Sequence, residues 1–123
     1  MEPEQIPDDI VQQDIMLDDI KEYRKIISGL MYNLHKSYDS CDECKTIYNE
    51  YKFLSEVTPF NHHYSYIGYE LIYEDVQKHR KYIEEIMNRI KNAQKPECDT
   101  IYNECYSSGI YQYYVLGNYN YHD

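Results

Sequence analysis

The sequence predicts an all-α protein, a tandem duplication of a helical hairpin that forms a small four-helix bundle and ends in a Tyr-rich C-terminal tail. The segment 43–50 returns as 97–104 with seven of eight positions identical, at a spacing of 54 residues. A longer segment, 17–31, aligns with 73–87 at a spacing of 56. Apolar residues recur every three or four positions in both copies, which is the period of an α-helix. Such a repeat marks one supersecondary unit that is used twice.

The first helix of each copy is predicted from an apolar stripe. The stripes consist of Met16, Ile20, Tyr23, Ile27, Leu30 and Leu34 in copy one, and of Ile72, Val76, His79, Ile83, Ile86 and Ile90 in copy two. We expect the first helix to begin at about Asp8 or Asp14, because Pro7 and the acids after it suit a first helical turn. It should end at Tyr38. Its counterpart should run from about Tyr69 to Ala93.

The second helix of each copy is shorter. Ser40 and Glu43 have capping-box spacing, which predicts a helix that continues to about Ser55. In copy two, Pro96 can open the helix, and Gly109 can end it because glycine accepts a left-handed conformation. The spacing falls from 56 to 54 between the two alignments, so the turn inside copy two is two residues shorter. Turns tolerate such a change.

With 123 residues, the chain is predicted to be a single domain. Its parts are copy one at about 8–55, a connector at 56–68, copy two at about 69–109, and a tail at 110–123. Two hairpins related by a pseudo-twofold axis make a four-helix bundle. The alternative is two stacked hairpins, as in a solenoid. The bundle is favoured because no further copies exist on which the stripes could stack. The tail is expected to cross the bundle or to form a short strand.

Charge and hydropathy exclude several partners. The 22 acidic residues outnumber the 12 basic ones and give a net charge of −10, which opposes binding to nucleic acid or to anionic membranes. No run approaches the roughly 20 apolar residues that span a bilayer. The start of the chain has neither a basic segment nor a hydrophobic run, so we predict no cleavable signal and an intracellular location.

The four cysteines carry the chemical interest of the sequence. Cys44 and Cys98 occupy equivalent positions, whereas Cys41 and Cys105 have no cysteine counterpart. Equivalent positions near a twofold axis approach each other, so a Cys44–Cys98 disulfide is sterically reasonable, and Cys41 would then pair with Cys105. The other pairings stay open. The competing interpretation is a set of buried free thiols in a reducing compartment.

The alternation of cysteine and tyrosine resembles the paired-cysteine helical hairpins of small proteins imported into the mitochondrial intermembrane space. That resemblance implies paired cysteines and this compartment. The spacings Cys41-x2-Cys44 and Cys98-x6-Cys105 differ from the even spacing of that family.

No cofactor or metal is predicted. Cys41-x2-Cys44 is the usual first half of a zinc knuckle, but the second half is missing. Cys98 and Cys105 lie about two helical turns apart, too far to bind one ion together. The adjacent His62 and His63 lack the spacing of a ligand pair.

No catalytic motif is predicted either. The sequence has no Gly-rich phosphate loop and no His-Glu-x-x-His motif. Asp75 and His79 share a helix face, as an acid–base pair would. We interpret His79 instead as a core histidine that bonds to a neighbouring carboxylate or tyrosine, because its counterpart in the first stripe is Tyr23. The chain is therefore not expected to be an enzyme.

The expected function is protein–protein interaction, as an accessory or scaffold subunit or a small regulator. The chain contains 17 tyrosines, and tyrosine suits interfaces because it gives contact area at little entropy cost. The expected partner is a protein, and a homo-oligomer stays open. The candidate partner-binding residues are Tyr111, Tyr113, Tyr114, Tyr119 and Tyr121. The alternatives are an acidic inhibitor that mimics nucleic acid, and a cysteine-based redox or zinc-linked protein.

Overall fold

The computed structural model of the chain describes residues 8–56 and 68–117. These residues form helices and contain no strand, so the all-α prediction is confirmed. The helices are α1 (Asp8–Lys36), α2 (Asp42–Tyr51), α3 (Phe53–Glu56), α4 (Tyr69–Ala93), α5 (Pro96–Tyr106) and α6 (Gly109–Tyr114).

The core lies where α1 packs on α4. Every position of the two predicted stripes is buried, with at most 5% of the residue exposed. The second helix of each copy contacts both long helices: α2 packs on α1 and α4, and α5 packs on α4 and α1. The apolar period therefore identified the buried faces of both long helices.

The predicted bounds of the copy-two helices are confirmed, since α4 runs from Tyr69 to Ala93 and α5 begins at Pro96. The predicted start of α2 was wrong. Its N-cap is Cys41, whose Sγ accepts a hydrogen bond from the backbone amide of Cys44 at 3.2 Å. The Ser40 hydroxyl instead donates to the carbonyl of Ser37 at 3.4 Å. A buried sulfur thus takes the place of the hydroxyl that the capping-box pattern suggests.

The end of the copy-one hairpin also differs from the prediction. Helix α2 ends at Tyr51, and a separate turn, α3, follows Lys52. The amide of Ser55 donates to the carbonyl of Lys52 at 3.0 Å, a three-residue bond that tightens the backbone. Leu54 stays on the buried face. Between Glu56 and Gly68 the connector lies outside the described residues.

The tail begins as a helix rather than as an extended segment or a strand. Gly109 is the first residue of α6, so the predicted left-handed glycine was wrong. The reason is Ser108, whose hydroxyl accepts a hydrogen bond from the amide of Tyr111 at 3.2 Å and so caps a new helix. Helix α6 packs on α1 and α5. Residues 118–123, including Tyr119 and Tyr121, lie outside the described residues.

None of the helices within 8–56 and 68–117 combines the length and the apolar character that crossing a membrane requires.

Candidate functional site

Three cysteine side chains meet in the core. Cys41 and Cys44 come from the start of α2, and Cys98 comes from the start of α5. The Sγ atom of Cys98 lies 3.9 Å from that of Cys41 and 3.6 Å from that of Cys44. All three sulfur atoms lie within 4.8 Å of one another, and the three residues are at most 5% exposed. We call this group the thiol cluster.

Two helices begin at the thiol cluster. Cys41 is the N-cap of α2, and Cys44 and Cys98 are the third residues of α2 and α5. The first turn of a helix carries backbone amides without intrahelical partners and the positive end of the helix dipole. Both helix starts therefore favour negative charge at the sulfur atoms.

Burial acts in the opposite direction when the thiols carry no ligand. It raises the pKa of the Cys44 thiol, and it raises the pKa of the Cys98 thiol to about 11. Hydrogen bonds from Cys44 to the two neighbouring sulfur atoms add to the rise in its pKa. Thiols with such pKa values are protonated at neutral pH and are weak nucleophiles. Cys44 and Cys98 thus offer no reactive thiolate by themselves.

The sequence placed Cys44 beside Cys98, and in the structure the two residues are adjacent free thiols. Their sulfur separation of 3.6 Å exceeds the roughly 2.05 Å of a disulfide bond. The structure brings Cys41 to Cys98, and it places Cys105 outside the cluster. Cys105 lies two turns further along α5 and lines a surface groove with Gly29 and Ile110.

Two polar contacts join the sequence copies reciprocally. Tyr23 and Arg24 of α1 align with His79 and Arg80 of α4. The Nε of Arg24 donates to the Nε2 of His79 at 3.3 Å, and the Nη1 of Arg80 donates to the hydroxyl of Tyr23 at 3.0 Å. Each arginine contacts the residue that precedes its counterpart in the other copy. A twofold relation between two similar units produces this pattern.

His79 is a core residue rather than an exposed acid–base group. It is fully buried, and its Nδ1–H donates to the backbone carbonyl of Asp75 at 2.6 Å. Its Nε2 is then the acceptor for Arg24. Burial lowers the pKa of His79 to about 4, and the charge of Arg24 acts in the same direction. The imidazole is therefore neutral at pH 7.

A second candidate surface lies on α6. Its inner side is fixed to the long helices, because Tyr111 is 6% exposed and the carbonyl of Tyr114 accepts hydrogen bonds from Tyr23 at 3.0 Å and from Arg80 at 3.3 Å. Arg80 also donates to the carbonyl of Val115 at 3.0 Å. These contacts explain why a segment of only six residues forms a helix.

The outer side of α6 is apolar and exposed. Ile110 is 39% exposed, Tyr113 is 62% exposed and Leu116 is 47% exposed. We call these three residues the α6 surface. Of the predicted partner-binding tyrosines, Tyr113 lies on this surface, whereas Tyr111 is in the core and Tyr114 is half-buried.

Sequence reasoning missed two features of these sites. Cys41 was considered as a partner of Cys105, with the other pairings left open, whereas its position before α2 places it at a helix start beside Cys44. Asp19 and Asp75 occupy equivalent positions and are both buried, at 3% and 2% exposure. The matching aspartates in the two alignments were the available signal for the second feature.

Comparison with protein-family models, curated proteins and solved structures finds no significant match to this chain.

Proposed function

We propose that the chain is a duplicated helical hairpin, folded as a four-helix bundle with a pseudo-twofold axis, and that it works as a non-catalytic protein-binding module. The reciprocal arginine contacts and the approach of Cys44 to its equivalent, Cys98, support the twofold relation. The packing of α2 on α4 and of α5 on α1 supports a bundle over stacked hairpins, because each short helix contacts the long helix of the other copy.

The observation that carries the binding function is the α6 surface. One side of α6 is held in place by buried contacts of Tyr111 and Arg80, while the other side leaves Tyr113 and Leu116 in solvent. A fixed helix with exposed aromatic and aliphatic side chains loses little entropy when a partner covers it. Aromatic anchors of this kind often dominate binding free energy.

Charge defines the chemistry of the partner. Asp18, Asp19 and Glu22 of α1 lie close enough to Tyr114 that each raises the pKa of its hydroxyl, after burial as the main cause. These acids lie near Tyr114, at the end of α6, in a chain whose net charge is −10. A protein with an apolar pocket ringed by lysine or arginine fits this surface, since complementary charge speeds association and selects partners.

Nucleic-acid mimicry is less well supported. A mimic needs acids along one continuous face, whereas the described acids alternate with bases. Lys21 pairs with Asp18 and Lys25 pairs with Glu22 along α1. Between helices, Arg89 pairs with Glu50 and Lys95 pairs with Glu43.

The test is affinity capture from the native source with three baits: the wild-type chain, Tyr113→Ser/Leu116→Ser, and Tyr32→Ser. Tyr32 is the matched control, because it is 65% exposed on α1. We expect one protein to be retained by the wild type and by Tyr32→Ser and to be lost by the double variant. The purified pair should then bind at least tenfold more weakly when the double variant is used.

Equal retention by all three baits, with unchanged circular dichroism, would contradict the role of the α6 surface. Light scattering of the purified chain identifies the case in which the partner is a second copy. The capture is run with and without reductant, so that mixed disulfides are recognised.

A further inference from the structure

The thiol cluster has the composition and the spacing of a soft-metal site. Three sulfur atoms that share one metal at bond lengths of about 2.3 Å lie about 3.8 Å apart in a tetrahedral site and about 4.0 Å apart in a trigonal one. The separations of 3.9 Å for Cys41–Cys98 and 3.6 Å for Cys44–Cys98 are close to these values, and the sulfur atoms of Cys41 and Cys44 lie within 4.8 Å of each other. An ion can therefore enter with small side-chain movements.

The number of ligands discriminates between metals. Among the described residues, no histidine or carboxylate joins the three sulfur atoms. Cys44 and Cys98 are fully buried and Cys41 is 5% exposed, which leaves little room for a water ligand. Zinc in structural sites almost always takes four ligands. Thiolates also select Cu⁺, a soft ion, and three sulfur ligands can complete its coordination shell.

Charge at the site is consistent with thiolate ligands. Three thiolates and one Cu⁺ carry a net charge of −2, which is costly to bury without compensation. The N-terminal turns of α2 and α5 meet at the sulfur atoms, and each contributes roughly half a positive charge. The amide of Cys44 also donates directly to the Sγ of Cys41.

We infer that Cys41, Cys44 and Cys98 bind a single Cu⁺ ion through three thiolates and that this ion ties the start of α2 to the start of α5. Three Cu–S bonds form, three S–H bonds break, and the protons pass to solvent while the copper stays cuprous. This site is independent of the α6 surface, so either proposal can fail without the other.

The test titrates the reduced full-length protein with cuprous ion under anaerobic conditions, in competition with a chromophoric Cu⁺ chelator. We expect one copper per chain in native mass spectrometry and ultraviolet absorption from thiolate-to-copper charge transfer. Cys44→Ser should lower Cu⁺ affinity at least a hundredfold. The matched control is Cys105→Ser, which changes a cysteine of α5, the helix that carries Cys98, outside the cluster and should leave affinity and stoichiometry unchanged.

Circular dichroism of each variant separates loss of the site from loss of the fold, and Cys41→Ser repeats the test at the edge of the cluster. The measurements on the wild-type protein test the proposal even where a variant does not fold. No copper bound by folded wild type would overturn the proposal, as would equal binding by Cys44→Ser, or binding of Zn²⁺ with Cu⁺ excluded.

Discussion

At position 79 a histidine stands where the first copy has Tyr23, and each of these two residues receives a hydrogen bond from an arginine of the other long helix. The two rings lie 6.4 Å apart, centre to centre. The exchange keeps an aromatic ring with a polar tip at both positions, but it introduces a group that can titrate near neutral pH. The histidine at position 79 thus makes the stability of the fold depend on pH.

That pH dependence has a defined sign. The folded-state pKa of His79 is about 4, below the ordinary value of 6.5, so the unfolded chain binds this proton more readily. Stability is therefore present above about pH 6.5 and is lost as the pH falls towards 4. The loss should amount to about 3 kcal/mol. Urea titrations at several pH values, on wild type and on His79→Gln, measure it.

In His79→Gln this part of the slope should disappear, because the amide does not titrate. An unchanged slope in the variant would assign the acid sensitivity to other groups.

At the scale of elements, α6 has two sides with different roles. Tyr111→Ala should lower the free energy of unfolding by about 3–5 kcal/mol, because it removes a buried aromatic side chain from the contact with the long helices. Tyr113→Ala on the exposed side should change it by less than about 0.5 kcal/mol. Denaturant titrations of both variants measure the difference, and equal effects would mean that α6 is not anchored through Tyr111.

Buried and exposed positions of the long helices can be compared in the same way. Ile27 and Ile83 are equivalent positions in the middle of the two stripes, with 5% and 0% exposure. Ile27→Ala and Ile83→Ala should each cost about 2–5 kcal/mol, because each leaves a cavity. Lys81→Ala, an exposed neighbour on α4, should cost little. Small effects at all three positions in the same titrations would contradict the assignment of the stripes to the core.

Helices with a strong apolar period were predictable from the sequence. Helix starts that depend on a single capping hydrogen bond were not. The stripe and Pro96 gave the bounds of α4 and the start of α5. The start of α2 depends on whether Cys41 or Ser40 supplies the cap, and α6 begins where it does because Ser108 supplies a cap. Several residues in each segment can cap a helix, so propensity alone does not choose among them.

The thiol cluster was predictable from the sequence only in part. The repeat in the sequence predicted that Cys44 and Cys98 lie close together, because equivalent residues near a twofold axis would approach each other. The third thiol joins them through the cap of α2, which is a local feature without a counterpart in copy two. A metal site was rejected on spacing within each segment, whereas the cluster combines cysteines from both segments.

At the scale of the whole molecule, each copy covers the other. The buried stripe of α1 faces α4, so a fragment ending at residue 67 would leave its apolar face in water. We expect the fragments 1–67 and 68–123 to be mostly unfolded alone, and to regain helicity when mixed in equal amounts. Circular dichroism at several concentrations measures this. A fragment that is fully helical and monomeric by itself would contradict the mutual dependence of the copies.

Because the three thiols are buried, the rate at which a reagent modifies them also reports on opening of the folded molecule. Cys105 is half-buried on the groove side of α5, whereas the cluster is enclosed where α2 and α5 begin. A thiol-alkylating reagent should therefore modify one cysteine quickly and three slowly in the metal-free protein. If alkylation is faster than reclosing, the rate of the slow phase equals the rate at which the two copies separate. If reclosing is faster, the rate of the slow phase reports the equilibrium fraction of molecules in which the copies are separated.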